Sequence, residues 1–228
     1  MRAILLSAGL GTRLFPITKS VPKCLIPIQG KSMLKRWINT LNIANITEIV
    51  INTHHHRQKV LSEIKTIESK VKIVEVNEKF LLGTAGTLIK NISNLDNDLL
   101  VVHCDNFSSI NIGDFLDFHR SGKNFMSMAI FKPKDKSKCG MVEISESGHI
   151  VQFIEKPYDS DLEWANAAVY VFSKECLDEI KSNCKLAKDI SLDLIPNFLG
   201  RMSSYKIDGY HIDIGTHESL AETVLRFQ

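Results

Sequence analysis

The amino-acid sequence predicts an α/β fold, with a mostly parallel sheet flanked by helices. Short apolar runs alternate with segments whose apolar residues recur at helical spacing over residues 1–124. The first apolar run passes directly into small residues and two glycines, a pattern typical of a buried strand that ends over a bound anion. With 44% hydrophobic residues, a chain of 228 residues can bury one sizeable core.

The first predicted strand, at 3–6, leads into a loop that holds Gly9 and Gly11. Glycine permits positive φ and lets consecutive N–H groups come close to phosphate oxygens. Arg13 and Lys23 follow, and they supply positive charge. Arginine can bind two phosphate oxygens with its planar fork, whereas lysine acts as a mobile point charge. The loop therefore suits a phosphate ligand.

This loop differs from two better-known phosphate loops. The dinucleotide fingerprint has a third glycine where this chain has Leu14, and the ATPase-type loop has a glycine where this chain has Leu25. A Gly-x-Gly after a strand is also typical of an ordinary tight turn. The glycines alone leave both interpretations open.

Helix and strand continue to alternate in the segments that follow. Apolar residues recur at helical spacing over 33–41 and 60–67, and strands are predicted at 48–52 and 71–76. We expect right-handed crossovers between parallel strands. The three histidines at 54–56 point in different directions, and no cysteine or carboxylate nearby completes a metal shell. We expect a solvated loop there.

Two further segments carry residues that suit a binding site. Gly83, Thr84 and Ala85 follow a strand, and such small residues let the backbone lie against a flat base, although a glycine-rich loop with a threonine cap has the same pattern. Residues 99–105 form an apolar strand that ends in Asp105. Ligands of open α/β sheets gather at the carboxyl ends of strands, so Asp105 is placed to hold a divalent ion or to cap the next turn.

The pattern changes at residue 125. Short strands are predicted at 126–131, 141–145 and 150–155, and the last of these ends at Glu155, followed by Lys156. A carboxylate beside a lysine suits a ligand with both hydroxyls and a phosphate, because one accepts from hydroxyls and the other neutralises phosphate. An ordinary ion pair at a strand end is the alternative.

Separated motifs along most of the chain resemble those of one enzyme family. They are Gly-x-Gly-Thr-Arg-Leu-x-Pro at 9–16 with Pro-Lys at 22–23, Gly-Thr-Ala-Gly at 83–86, Asp105, Gly-Met-Val-Glu at 140–143, Phe-Ile-Glu-Lys-Pro at 153–157, Asn-Ala-Ala-Val-Tyr-Val-Phe at 166–172, and His-Ile-Asp-Ile-Gly-Thr at 211–216. Together they resemble the sugar-phosphate nucleotidyltransferases, also called nucleotide-sugar pyrophosphorylases.

The resemblance implies a Rossmann-like nucleotide-diphospho-sugar transferase fold with a small, β-rich, sugar-binding lobe. We expect a single catalytic domain over 1–228, with a nucleotide-binding part at about 1–124 and a sugar-binding and C-terminal part at about 125–228. Two positions depart from the family pattern, since Cys104 and Ala168 replace glycines that the family commonly has.

The resemblance also assigns roles to individual residues. Those expected to contact the nucleotide are Leu6, Ala8, Gly9, Gly11, Thr12, Arg13, Gly83, Thr84 and Ala85. Those expected to contact the sugar phosphate are Lys23, Gly140, Glu155, Lys156 and Asn166. Asp105 and Asp213 are the expected Mg2+ ligands, and the expected catalytic residues are Arg13, Lys23 and Asp105.

The implied reaction is transfer of a nucleotidyl group from a nucleoside triphosphate to a sugar 1-phosphate. The Gly-Thr-Ala-Gly form is more similar to members that use GTP with mannose- or heptose-type sugar phosphates. A cytidylyl- or uridylyltransferase for another sugar phosphate or a phosphocholine-like acceptor, and a non-catalytic nucleotide-binding regulatory subunit, are alternatives. The sugar-binding residues favour a sugar phosphate over phosphocholine, and the intact charged set favours an enzyme.

The composition limits the binding partners and the cellular location that we expect for the protein. A net charge of +2 with 24% charged residues gives no reason to expect nucleic acid or an anionic membrane as a partner. The five cysteines show no metal-ligand spacing, and their odd number argues against a closed disulfide framework, so we expect a cytoplasmic protein. We expect neither a leader nor a membrane span, because no apolar run approaches roughly 18 residues. Many members of the family are homo-oligomers, and the sequence leaves the oligomeric state open.

Overall fold

The computed structural model describes residues 1–227 and confirms the α/β fold. The helices are α1 (Met33–Ile43), α2 (Arg57–Thr66), α3 (Gly83–Asn91), α4 (Ile112–Ser121), α5 (Lys174–Asn183) and α6 (His217–Arg226). The strands are β1 (Arg2–Leu6), β2 (Pro27–Ile28), β3 (Lys31–Ser32), β4 (Glu48–Thr53), β5 (Lys72–Asn77), β6 (Leu99–His103), β7 (Asn106–Ser108), β8 (Met126–Phe131), β9 (Gly140–Ile144), β10 (His149–Glu155), β11 (Trp164–Phe172), β12 (Met202–Lys206) and β13 (His211–Asp213).

The central sheet has the strand order β5-β4-β1-β6-β11-β8-β12-β10-β9. In its first half β1 is parallel to β4 and β6, and β4 is parallel to β5, as the alternation of strand and helix predicts. β11 then runs antiparallel to both β6 and β8. Strands from the part expected to hold a small β-rich lobe therefore continue the same sheet.

Both faces of the sheet are covered because neighbouring residues of each buried strand point to opposite sides. On β6, Leu100 and Val102 join one core cluster with residues of α1, α2 and α4. Leu99 and Val101 join the other, with residues of α3 and α5. Full burial of each such side chain contributes about 1.5–3 kcal/mol, so the two clusters fix the sheet between its helices.

Polar side chains mark where four helices begin. Ser32, Asn111, Ser173 and Thr216 each accept a hydrogen bond from a backbone N–H in the first turn of α1, α4, α5 and α6. Caps of this kind contribute about 1 kcal/mol each. The longest helix, α1, has 11 residues, and within residues 1–227 no helix has both the length and the apolar character that a membrane span requires.

The structure corrects two local predictions. In α6 the sequence predicts Leu220, Val224 and Leu225 on the apolar side, but Val224 and Leu225 are exposed, whereas Thr223 is fully buried. The helix begins after the Thr216 cap, and its core-facing side carries Leu220 and Thr223. Residues 83–85, expected in a loop before a helix, form the first turn of α3 itself.

Candidate active site

Chain elements that are distant in sequence bring Lys23, Asp105 and Asp213 together. Asp105 follows β6 at its carboxyl end, where ligands of such sheets gather. β7 and β13 pair antiparallel outside the central sheet, with Asp213 opposite Asn106. The N–H of Ile214 also donates to the carbonyl of Asp105 at 3.1 Å. This short ribbon therefore fixes the two aspartates side by side.

The ammonium group of Lys23 lies between the two carboxylates. It donates to Asp105 Oδ2 and to Asp213 Oδ1, the latter at 2.8 Å, and the lysine side chain is only 9% exposed. Burial lowers the pKa of Lys23, but the two carboxylates outweigh it and hold the pKa above its usual value. Burial likewise raises the pKa of Asp105, but Lys23 and His103 outweigh it and hold the pKa below its usual value. Both groups of the Lys23–Asp105 pair are therefore charged.

Arg13 completes the charged cluster. Its Nη2 lies 3.5 Å from Asp213 Oδ2, and the guanidinium is otherwise exposed. Gly215 makes this approach feasible, because a Cβ at that position would lie 2.7 Å from Arg13 Nη2 and 2.7 Å from Asp213 Oδ2. The site thus presents one buried cation, Lys23, and one exposed cation, Arg13, both beside Asp213.

The glycine loop after β1 folds back on itself. Gly11 has φ +64, and a Cβ there would lie 2.9 Å from the side chain of Thr18. Thr18 Oγ1 donates to the Gly11 carbonyl at 2.7 Å. Gly9 and Thr12 are exposed, whereas Ala8 is buried at 7%. Among the predicted nucleotide contacts on this loop, Gly9, Thr12 and Arg13 are thus the accessible ones.

A buried polar network joins this loop to α3, and sequence reasoning missed it. Glu78 is 2% exposed and accepts from Asn52 Nδ2 at 2.9 Å and from the Thr87 hydroxyl. Its other oxygen accepts from the Leu82 N–H at 3.1 Å. Asn52 Oδ1 in turn accepts from the Ser7 N–H at 2.7 Å. The only signal in the sequence is polar residues at the ends of otherwise apolar strands.

Residues 83–85 pack against a later segment of the chain. Gly83 has φ +79, and a Cβ there would lie 2.2 Å from the Lys188 carbonyl oxygen. The Ala85 N–H donates to that same oxygen at 3.0 Å, and the Thr84 hydroxyl accepts from the Ile190 N–H at 2.8 Å. Ala85 is fully buried and its N–H is already bonded, so Gly83 is the exposed member of the three.

Gly140 and Glu155 are directly opposite each other on β9 and β10. A Cβ on Gly140 would lie 2.8 Å from Glu155 Oε2 and 2.6 Å from the Phe153 ring, so only glycine leaves room for these side chains. Glu155 Oε1 pairs with Lys156 Nζ at 3.1 Å, and Lys156 is exposed. The carboxylate and ammonium predicted to bind a sugar phosphate are thus adjacent at the end of β10.

Asn166 stabilises an irregular turn within β11. Its Oδ1 accepts from the Ala168 N–H at 2.8 Å, and its Nδ2 donates to the Tyr170 hydroxyl at 2.7 Å. Ala168 has φ +52, in the left-handed region that glycine adopts without strain. The glycine expected at this position therefore has a conformational reason.

Comparison with known proteins identifies the family. The family model described as "Nucleotidyl transferase" matches residues 2–227. The chain belongs to the nucleotidyl transferase family. A mannose-1-phosphate guanylyltransferase 1 of Arabidopsis thaliana is 30% identical over 94% of this chain, and a mannose-1-phosphate guanylyltransferase catalytic subunit beta of Dictyostelium discoideum is 29% identical over 94%. The matched part is 61% of the length of each relative.

The fold of this nucleotidyl transferase family member also matches solved structures. The crystal structure of HddC from Yersinia pseudotuberculosis superposes with a TM-score of 0.84 at 22% identity, covering 100% of this chain and 99% of that one. Identity at that level shows the shared fold. In the family member described here, no three His, Cys, Asp or Glu side chains of residues 1–227 converge in a group that could hold a metal ion. Asp105 and Asp213 are a pair, not a closed metal shell.

Proposed function

We propose that the chain transfers a nucleotidyl group from a nucleoside triphosphate to a sugar 1-phosphate, with GTP and a mannose-type sugar 1-phosphate as the substrates. The observation that carries this proposal is the cluster of Arg13, Lys23, Asp105 and Asp213 beside the glycine loop. The names of the two guanylyltransferase relatives support the choice of GTP and mannose 1-phosphate. We also propose that residues 1–228 act as one catalytic domain, and the five free cysteines support a reducing compartment such as the cytoplasm.

In the proposed reaction a phosphate oxygen of the sugar 1-phosphate attacks the α-phosphorus of the triphosphate in line. A bond forms between that oxygen and phosphorus, and the bond from the α-phosphorus to the bridging oxygen breaks, so pyrophosphate leaves. The attacking phosphate is already an anion near neutral pH, with a second pKa of about 6, and needs no general base. The barrier is electrostatic, because two polyanions must meet.

The chain's own cations reduce that barrier. Lys23 is held rigidly at the carboxyl ends of the strands, where the reacting phosphates would lie. Arg13 is exposed and can bind two oxygens of the departing pyrophosphate. The backbone N–H groups around Gly9 and Gly11 would bind the remaining phosphate oxygens. Positioning of this kind lowers the barrier without covalent chemistry by the protein.

Asp105 and Asp213 would hold a divalent cation, which we take to be Mg2+. Both carboxylates contact one ammonium group, so they already converge on a single cation. Their oxygen atoms are the donors that Mg2+ prefers, and Mg2+ commonly takes one or two carboxylates and completes its shell with water and substrate phosphate. When bound, the cation neutralises phosphate charge and orients the phosphates.

The sugar phosphate would lie against the edge formed by Gly140, Glu155 and Asn166. Glu155 can accept hydrogen bonds from sugar hydroxyls, and the neighbouring Lys156 can contact the phosphate. Asn166 supports this edge through Ala168 and Tyr170. An acceptor such as phosphocholine has no ring hydroxyls to use these groups.

Release of pyrophosphate by the purified protein tests the proposal. Nucleoside triphosphates are crossed with sugar 1-phosphates and phosphocholine, in magnesium and in excess chelator. We expect release to be greatest with GTP and mannose 1-phosphate and to be lost in chelator. Asp105→Asn should abolish release, whereas Asp114→Asn, an exposed change on α4, should not. Folded protein that releases no pyrophosphate from any pair would refute the enzymatic proposal.

A further inference from the structure

An open cavity lies beside α1, outside the cluster of Arg13, Lys23 and the two aspartates. Its volume is about 210 Å³, and its lining comes from α1, β3 and β7. Polar and charged side chains in the lining include Lys31, Arg36, Asn39 and Ser108. We propose that this cavity binds a small phosphate-type oxyanion.

The charges around the cavity are of one sign. Lys31 and Arg36 are its charged residues, and the lining that residues 1–227 provide has no carboxylate. Arg36 donates through Nη2 to the carbonyl of Ile28 and to Gln29 Oε1 at 3.2 Å, both uncharged acceptors. Its Nε is buried without an acceptor among the described residues. The guanidinium is therefore a cation that no carboxylate within residues 1–227 neutralises.

The guanidinium of Arg36 is also held in place. Its Cζ lies 5.0 Å from the centroid of the Phe107 ring, a cation–π contact. Burial lowers the pKa of Arg36 from its usual value, as expected when a cation lacks a partner charge. Arginine forms strong, charge-assisted hydrogen bonds with phosphate oxygens. An anion here would supply the missing negative charge.

The size of the cavity limits the ligand. Sites that enclose drug-sized ligands measure about 300–1,000 Å³, so a cavity of about 210 Å³ suits a small anion instead of a nucleotide. The Asn39 side chain forms no hydrogen bond with the described residues and is available to a ligand. The shared chemistry is a phosphate group, either free or as the end of a small phosphomonoester.

An anion in the cavity would lie close to the segment that carries Asp105. Asn106, which is 3% exposed, lines the cavity and immediately follows Asp105. Its carbonyl accepts from Trp37 Nε1 at 2.9 Å, and its backbone pairs with Asp213. We therefore expect the ligand to change the rate of nucleotidyl transfer, an effect that rests on the proposed function. Binding itself does not depend on that function.

Trp37 lines the cavity and reports on it directly. The chain has two tryptophans, so a Trp164→Phe background leaves Trp37 as the only one. Inorganic phosphate and glycerol phosphate are titrated separately while Trp37 emission is followed, with sodium chloride at matched ionic strength as the control. A saturable response to inorganic phosphate alone indicates the free ion, and a tighter response to glycerol phosphate indicates a phosphomonoester.

Variants separate this cavity from other anion sites. We expect Arg36→Gln to weaken phosphate binding at least tenfold and Lys31→Gln to weaken it several-fold, with Lys35→Gln unchanged because Lys35 does not line the cavity. Lys31 is exposed, so its variant tests the proposal even where Arg36→Gln impairs folding. Phosphate bound at Arg13 and Lys23 could also perturb Trp37, but neither cavity variant would remove that response. No saturable response, or equal affinity in all variants, would overturn the proposal.

Discussion

Replacing Glu78 by glutamine perturbs the buried network that joins the glycine loop to α3. Glutamine keeps the shape of the side chain but turns one acceptor oxygen into an NH2 group, which then faces a donor. One oxygen of Glu78 accepts from two side chains, and the other accepts from the Leu82 N–H. The cheaper orientation therefore leaves only the Leu82 N–H without an acceptor.

The expected change in stability follows from the loss of this one hydrogen bond. A buried donor left without an acceptor costs about 1–3 kcal/mol. For a chain of this size 1 kcal/mol shifts Tm by about 2–4 °C, so we expect Glu78→Gln to lower Tm by about 2–12 °C. KM for the nucleotide should rise as well, because the network holds both Ser7 and Leu82 beside the predicted nucleotide contacts.

Differential scanning calorimetry measures Tm, and initial rates at saturating sugar phosphate measure KM for the nucleotide. Glu143→Gln is the matched control, because Glu143 is exposed on β9 and its side chain has no hydrogen bond with residues 1–227. We expect that control to stay within about 2 °C of the parent protein, since such surface changes usually remain within ±0.5 kcal/mol. A Glu78→Gln protein with the same Tm and KM as the control would refute the reasoning.

Three further perturbations test other features. Gly215→Ala should remove most pyrophosphate release in the standard assay with little change in Tm, because the new Cβ would lie 2.7 Å from Asp213 Oδ2; normal release would contradict this. Burial lowers the pKa of His119 in the folded protein below its usual value of 6.5. Just below pH 6.5 the unfolded chain therefore binds a proton that the folded protein does not bind, and the free energy of unfolding falls as the pH falls. Calorimetry should therefore show the Tm difference between the parent and His119→Gln shrinking from pH 7.5 to pH 5.5, whereas a constant difference would count against it. Ala168→Gly should keep or raise Tm, because glycine adopts the positive φ of residue 168 without strain. Residue 167 has no positive φ, so the control Ala167→Gly should cost roughly 1 kcal/mol and lower Tm by about 2–4 °C. Equal losses of Tm in the two variants would contradict the strain argument.

The spacing of apolar residues predicted the strands that are buried on both faces and the helices that are buried on one side. β1, β4 and β6 are apolar runs because both faces of a parallel sheet are covered, and α1 shows helical spacing because one side of it packs on that sheet. The same spacing did not predict correctly which residues of α6 are buried. Val224 and Leu225 are exposed, and α6 instead packs through Leu220 and the buried Thr223.

Positions defined by long-range pairing could not be read from periodicity. The resemblance suggested that Asp105 and Asp213 share a metal ion, and the pairing of β7 with β13 supplies the physical reason for their proximity. Nothing in the local pattern around Lys23 indicates that its ammonium group lies between those carboxylates. The Glu78 network was missed for the same reason, because its donors come from three separate segments of the chain, at Ser7, at Asn52 and at the start of α3.

The charge balance of the candidate site gives an independent argument for a divalent cation. Lys23 and Arg13 provide two positive charges, and both are already engaged by the two carboxylates of Asp105 and Asp213. Without a further cation, this cluster offers no net positive charge to a triphosphate and a sugar phosphate that repel each other. A divalent cation held by the carboxylates would reverse that balance and leave both Lys23 and Arg13 available to phosphate oxygens. This balance supports our proposal that the two aspartates are cation ligands and do more than neutralise the lysine and the arginine.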